Sequence, residues 1–552
     1  MVKLFMGKNH IEIQVSRGDL ANIEKCSSIP YVHKNRTNTV YKTTMRNLPL
    51  VLELFRGITV DNIHEAPLEV QQRFFTELDR VEKTKNLKTY GPKEDGDWLF
   101  KHQQLGRELS KIQNRYGFFY DTRTGKTPMS LQIMYDDIKQ NPDHKWLVLC
   151  PLILIDNAWV PDAKEFFPDL KVQSLHAPTK AKRLKLFEQD ANVYVQNVES
   201  FVTYLDEIRK LGIHGVVVDE SSVMKSTKSK FAKAAVEFSH EVERWYLLSG
   251  TPAPNGIWEY YRQLQSIDFY GVHQSYTQFK QYFFNDIGYG QFEKLVVKPE
   301  RKQELEDLIS NYAIYVDKED VLKTAGRDFI DYEVTMPDNI KSLYATMAKE
   351  LYVEFENGSD TDTIVASSAA AKLNKLRQIS SGFIIDTELQ ETRMIDMYKF
   401  NALLELLRSF GNEQAIVWCN YKEEFKVLKR LLGDNCGLVY GEVDLHGKNK
   451  AIQDFKDGKT QFLIANPASA DKGLTLTNAH ICVYFSLTYS YELYKQSMER
   501  IYGGIHKQPK RCKYYLMQVK GSVDKAMLNA LKDKKSSSMA MLDCIRNCKD
   551  YI

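Results

Sequence analysis

The run Asp121-Thr122-Arg123-Thr124-Gly125-Lys126-Thr127 constrains this chain more than any other stretch. It lies between an apolar-aromatic run, Tyr116 to Tyr120, and a helix-compatible segment from Met129 to Ile138. A Gly-Lys-Thr triplet between a strand and a helix makes a phosphate cradle, because loop N–H groups and the helix N-terminus point at phosphate oxygens. In that reading Thr124 and Gly125 belong to the loop that binds the nucleotide, Lys126 reaches its β- and γ-phosphates, and the Thr127 hydroxyl ligates Mg²⁺. The full G-x-x-x-x-G-K-T pattern is not met, since Tyr120 stands where its first glycine falls. A surface turn spells the same triplet, so the assignment needs support from elsewhere in the chain.

Val216-Val217-Val218 runs directly into Asp219-Glu220-Ser221-Ser222. A buried strand ending in two carboxylates is what Mg²⁺–nucleotide chemistry needs: Asp219 is expected to hold the ion, and Glu220 to orient and polarise the attacking water. A further apolar run ends in Leu248-Ser249-Gly250-Thr251-Pro252. Ser249 and Thr251 place small hydroxyls at that strand end, suited to linking the carboxylates to a neighbouring domain.

With 552 residues the chain exceeds what a single core supports and implies three or four domains. Hydrophobic residues make up 43% and charged residues 27%, the balance of an ordinary soluble protein. A formal charge of +3 neither announces nor excludes a nucleic-acid partner, so any basic surface must be local. The eight cysteines are scattered without a CxxC pair, which argues against zinc and fits a reducing compartment. No signal peptide is visible. The longest apolar run, Leu147 to Ile155, is interrupted by Pro151 and is too short to span a bilayer. The expected location is cytoplasmic, with no membrane contact.

Hydrophobic patterning divides the chain. Residues 1–95 read as a small α+β accessory unit, with a strand at Ile11–Val15, a helix at Asn47–Phe55 and a polar linker from Val81 to Asp97. From 96 to 268 short β-branched runs alternate with helices, with strands expected at Trp146–Cys150, Asn192–Gln196, Gly215–Val218 and Trp245–Leu248. Residues 269–390 lack such runs and read as a mainly helical insertion. From 391 to 552 the alternation returns at Ala415–Cys419, Cys436–Tyr440, Gln461–Ala465, Ile481–Phe485 and Lys513–Met517. Apolar runs separated by helices imply parallel sheets covered on both faces. The fold class is therefore α/β, with two parallel-sheet lobes.

The motifs, in order, resemble those of the Swi/Snf-like branch of superfamily 2 helicases and translocases, over roughly residues 98 to 533. Leu99-Phe100-Lys101-His102-Gln103 resembles the Q motif, which implies that Gln103 contacts the base. Asp121–Thr127 resembles motif I, Leu149-Cys150-Pro151-Leu152 with Asn157-Ala158-Trp159 motif Ia, and Gln196-Asn197-Val198-Glu199 motif Ib. Asp219–Ser222 is similar to motif II and Ser249–Pro252 to motif III. In the second lobe, Ala415–Tyr421 resembles motif IV, Asn466–Leu474 motif V and Gln496–Arg500 the start of motif VI. The resemblance implies two RecA-like lobes that clamp one ATP with Mg²⁺, with Lys126, Asp219 and Glu220 on one wall and Arg500 on the other. It also places Gly473 near the nucleotide. It implies a DNA track held through its backbone, with Asn197, Lys225, Ser249, Thr251, Asn420, Ser469 and Lys472 as contacts.

Ser28-Ile29-Pro30-Tyr31, Asn38–Thr43 and Leu48–Phe55 resemble the small substrate-recognition domain that precedes annealing and fork-remodelling helicases. The compact size is that of phage and bacterial motors. The implied activity is therefore a phage-type DNA translocase, in the host cytoplasm, that acts on duplex, forked or junction DNA by branch migration.

Three positions depart from the family. The second motif VI arginine, a finger on the γ-phosphate, is Gly503 here, followed by Gly504. Loss of such a finger costs ~10³-fold or more in turnover. Either Arg500, His506 or Lys507 takes its role, or the motor is weakened. Arg123 replaces a common glycine in motif I, and Asp471-Lys472 replaces glycines in motif V. Three other readings stay open: a superfamily 2 RNA helicase, a restriction-type motor subunit, and a DNA-binding scaffold with an impaired ATP site.

Overall fold

The computed structural model describes residues 2–6, 10–27, 29, 32–44, 51, 54, 80, 83–84, 86–88, 98–267, 275–288, 295–357, 363–385, 392–470, 474–503 and 508–532. The chain forms two compact units that part near residues 321 and 322, with short crossings at 254–256 and 286–295.

The first unit opens with β1 (Val2–Met6), β2 (His10–Val15), α1 (Leu20–Ser27), β3 (His33–Lys34) and β4 (Val40–Thr44). These strands form an antiparallel sheet in the order β1-β2-β4-β3. Ile11, Ile13 and Val15 alternate inward and are buried with Tyr41 and Cys26, as period-two patterning requires. Of the expected Asn47–Phe55 helix only Val51 and Leu54 are described; Val51 is buried in this small core and Leu54 packs against it. Most of the Val81–Asp97 segment lies outside the described residues.

The main sheet of this unit is parallel. Its strands are β5 (Arg115–Tyr120), β6 (Lys145–Cys150), β7 (Val172–Ser174), β8 (Val193–Asn197), β9 (Ile213–Val218), β10 (Arg244–Leu248) and β11 (Ala313–Val316), in the order β11-β5-β10-β9-β6-β8-β7. All of its neighbouring strands pair in parallel. Strands buried on both faces read as continuous apolar runs, and Val193–Asn197 is buried at every position. α2 (Lys101–Ile112) precedes β5, and α3 (Lys126–Gln140) follows it.

The second unit holds β12 (Arg327–Val334), β13 (Ala415–Trp418), β14 (Cys436–Val439), β15 (Phe462–Ala465), β16 (Ile481–Tyr484) and β17 (Cys512–Val519). They form a parallel sheet in the order β12-β17-β16-β13-β15-β14. One continuous core surrounds it, centred on Ile416, Trp418, Ile464, Val483 and Tyr514.

Among the described residues, five strands lie in the stretch expected to be mainly helical, and two of them join the main sheets. Ala313–Val316 becomes an edge strand of the first sheet, beside β5, and Arg327–Val334 an edge strand of the second, beside β17. Arg327–Val334 alternates charged and apolar residues, as a strand half exposed at an edge does, and so lacks the apolar run that marks a central strand. Long helices do occupy much of the rest, at Asp338–Asn357 and Thr363–Ser380.

Candidate active site

Three neighbouring strands deliver the site. β5, β10 and β9 are adjacent and parallel, so Tyr120, Leu248 and Val218 all end at the same edge of the sheet. The loops beyond the carboxyl ends of such strands are where open α/β sheets bind ligands. Here they are 121–125, 219–222 and 249–252.

The first loop is held in an uncommon conformation. Arg123 has φ +64° and Gly125 φ +79°, both left-handed. That strain explains why glycine suits position 123, where this chain tolerates arginine. Thr124 is buried, and its hydroxyl donates to the Asp121 carbonyl at 2.7 Å. α2 braces the loop from behind: His102 Nε2 lies 2.7 Å from the Thr124 carbonyl oxygen, and Gln103 Nε2 donates to the Thr124 and Gly125 carbonyls at 3.1 and 3.0 Å. Gln103 Oε1 accepts from the Phe100 N–H at 2.9 Å. Both ends of the buried amide are committed to the protein, so in this state Gln103 supports the loop, where the resemblance implied a base contact.

A Cβ at Gly125 would sit 1.9 Å from Gln103 Nε2. Gly125→Ala therefore meets both a backbone penalty and a clash. We expect nucleotide affinity to fall roughly ten- to a hundredfold, the equivalent of about 1–3 kcal/mol of strain, in equilibrium titrations with a fluorescent ATP analogue.

Lys126 begins α3, and its Nζ donates to the carbonyls of Tyr120 and Asp121 at 3.0 and 3.1 Å. Thr127, the next residue, is half-buried. Asp219 is buried, and its backbone N–H bonds to Leu149 O. Its Oδ1 accepts from the Glu220 N–H at 2.9 Å and its Oδ2 from Trp159 Nε1 at 3.0 Å. Burial pushes the Asp219 carboxyl up to about 6, the neighbouring Glu220 adds to this, and the Lys126 charge opposes it. The cation and the carboxylate thus feel one another across the strand ends. Glu220 adopts φ +51°, a strained conformation of the kind found at working sites.

The third loop closes on the first. A Cβ on Gly250 would lie 3.2 Å from both Thr122 N and Thr122 Cγ2, so glycine allows the close approach. Ser249 is fully buried, and its hydroxyl accepts from the Thr251 N–H at 3.0 Å. So placed, Ser249 has no exposed surface and holds the turn through that bond; Thr251 is half-buried. Gln263, on α4 (Tyr260–Ile267), joins the second and third loops. It accepts from Ser221 Oγ at 2.8 Å and donates to Pro252 O at 2.8 Å. Sequence reading missed Gln263, because its full burial and its partners appear only in the folded chain.

The remaining expected residues are more scattered. Asn197, at the end of β8, is buried; it donates to Glu199 at 2.9 Å and accepts from the Ser200 hydroxyl. Lys225 is half-buried after the acidic loop, whereas Lys228 and Lys230 are exposed. In the second unit, Asn420 Nδ2 donates to Ser486 O at 2.7 Å, and Ser469 is half-buried. Arg500 follows α5 (Tyr491–Met498), is buried, and donates to Leu474 O at 3.3 Å. Tyr502 carries the Arg327 guanidinium 4.8 Å above its ring, and Gly503 is buried. Lys472, Gly473, Gly504, His506 and Lys507 lie outside the described residues.

A second polar cluster sits at the other edge of the first sheet. Asp137, His144 and His214 bring ligating atoms within 4.8 Å of one another. Asp137 already accepts from Trp146 Nε1 at 2.9 Å and pairs with Arg244 at 3.6 Å, and the two imidazoles stack at 3.5 Å. This arrangement ties the strand starts together.

Two parallel-sheet lobes, one bearing a phosphate loop beside a carboxylate strand end, define an ATP-hydrolysing enzyme of helicase superfamily 2. The chain belongs to the SNF2-related family: the SNF2-related domain matches residues 27–382, and the helicase conserved C-terminal domain matches residues 398–502. Among curated proteins it is similar to putative protein p41 of Acyrthosiphon pisum secondary endosymbiont phage 1, 27% identical over 398 residues, covering 69% of this chain and 82% of that one. It is also similar to the DNA repair and recombination protein RAD54-like of Drosophila ananassae, 22% identical over 478 residues and covering 76% of this chain. The chain spans 58% of that protein's length. Among solved structures, the Sulfolobus solfataricus SWI2/SNF2 ATPase core in complex with dsDNA aligns with TM-score 0.37 and 19% identity, over 79% of this chain and 91% of that one. Among the described residues no helix is long and apolar enough to cross a membrane.

Proposed function

We propose that this chain is an ATP-driven translocase on duplex DNA that remodels branched intermediates, forks and four-way junctions, by branch migration in recombination, replication or repair. The observation that carries the reading is the convergence of the 121–125, 219–222 and 249–252 loops at one sheet edge in a member of the SNF2-related family. The relatives named for DNA repair and recombination favour DNA over RNA as the track.

The donor set suits a magnesium nucleotide. A hydroxyl at the helix start and a buried carboxylate at the strand end are hard oxygen ligands. Thr127 and Asp219 would hold the ion, which supplies charge neutralisation at the phosphates. Lys126 and the α3 N-terminus bind phosphate, and Glu220 orients the attacking water. Lys225, Lys228 and Lys230, with Asn197, Thr251, Asn420, Ser469 and Lys472, are proposed to follow the DNA backbone.

ATPase stimulation measured across single-stranded, duplex, forked and four-way junction DNA and RNA tests this. Greatest stimulation by junction or forked DNA is expected, and stimulation by RNA alone would overturn the reading. Gly503 bears on the impaired-site alternative. Gly503→Arg is expected to raise DNA-stimulated turnover, by up to ~10³-fold if no other residue already serves as the finger. Unchanged turnover would mean that another cation fills that role.

A further inference from the structure

We propose that Trp159 is a positioning residue for the metal–nucleotide site, its indole N–H fixing the plane of the Asp219 carboxylate. The inference rests on the reading of Asp219 as the residue that holds the ion. Trp159 belongs to the segment that resembles motif Ia, and its side chain turns into the core. Asp156 and Asn157 are exposed, whereas Trp159 is fully buried. The turn that carries it, Ile155–Trp159, is a π-helix, with the Val160 N–H bonded back to Ile155 O. Such one-turn widenings are rare and recur at functional sites.

The geometry leaves the carboxylate little freedom. Each oxygen of Asp219 takes one donor, Glu220 N–H on Oδ1 and Trp159 Nε1 on Oδ2, from opposite ends of the group. Two donors on different oxygens fix both the position and the rotation of a carboxylate plane, and the remaining lone pairs stay available. Burial alone does not impose the tryptophan bond: Trp245 lies in the same sheet, fully buried, with no hydrogen-bond partner for its indole nitrogen. An indole offers one donor and no acceptor, so it cannot compete for the cation itself. Groups that orient a metal ligand in this way are commonly worth ten- to a hundredfold in metal affinity.

Trp159→Phe keeps an aromatic ring in the core and removes the donor. The test uses the full chain and compares affinity for a non-hydrolysable ATP analogue in saturating Mg²⁺ and in EDTA. The wild type is expected to bind more tightly with Mg²⁺. In the variant that Mg²⁺-dependent gain should shrink roughly tenfold or more, while affinity in EDTA stays within about twofold. An unchanged gain, or an equal loss under both conditions, would overturn the proposal, because a purely structural tryptophan acts on both. A wild type that gains nothing from Mg²⁺ would instead remove the metal reading of Asp219, and this inference with it. Thermal melting checks the fold, and Trp159→Met, with an adaptable apolar side chain, supplies the same comparison if the phenylalanine variant does not fold.

Discussion

Replacing Lys126 by alanine is expected to lower DNA-stimulated ATP turnover roughly 10²–10³-fold, a loss of about 3–4 kcal/mol of transition-state stabilisation. The side chain stands at the first position of α3, and its ammonium rests on the Tyr120 and Asp121 carbonyls of the loop. On the proposed reading those two bonds would be exchanged for phosphate oxygens when nucleotide enters, so the folded state gains only a modest amount from them. Net hydrogen-bond contributions of about 0.5–1.5 kcal/mol set the scale of any loss of stability. A melting temperature close to wild type, with turnover near background in a coupled assay, is therefore the expected pair of results. Near-normal turnover would remove the assignment of the phosphate loop, and a collapsed melt would assign Lys126 to folding.

The sheet strands were legible because they are buried on both faces. The runs expected as strands at Gly215–Val218 and Ala415–Cys419 overlap the strands at Ile213–Val218 and Ala415–Trp418. Edge strands were not legible in the same way: Arg327–Val334 has only Val334 buried, so its pattern resembles a solvated segment. Local motifs singled out Lys126, Asp219 and Glu220, and the structure places all three beyond the carboxyl ends of neighbouring strands. Long-range bracing was invisible. Gln263 meets Ser221 across 42 positions, and Trp159 meets Asp219 across 60, and nothing in either local pattern announces the partner. Gln103 shows the reverse case. Its motif was found, but its amide is turned onto the loop backbone, a choice made by the neighbouring Phe100 N–H and by the carbonyls of Thr124 and Gly125.

The second lobe carries the largest expected effect on stability. Lys399 is 1% exposed, and its ammonium lies 3.2 Å from Asp524 Oδ2. The same oxygen accepts from the Val519 N–H at 3.1 Å, and Oδ1 lies 3.4 Å from Ser380 Oγ. One carboxylate thus ties the Tyr398–Ser409 helix, the end of β17 and the Thr363–Ser380 helix. Removing the cation alone leaves a buried charge without its counter-ion, which typically costs about 3–5 kcal/mol, whereas replacing both partners with apolar residues is often neutral. Lys399→Met is therefore expected to destabilise the second lobe by about that amount, read as an earlier chemical-denaturation transition. Lys399→Met combined with Asp524→Leu should recover part of the loss. Recovery will be incomplete, because the Val519 N–H then loses its acceptor, and a buried donor left unpaired costs about 1–3 kcal/mol, whereas the Ser380 hydroxyl keeps the Arg377 carbonyl at 2.9 Å. A single variant that melts like wild type would show that water or another cation reaches the Asp524 carboxylate, contrary to the burial seen here.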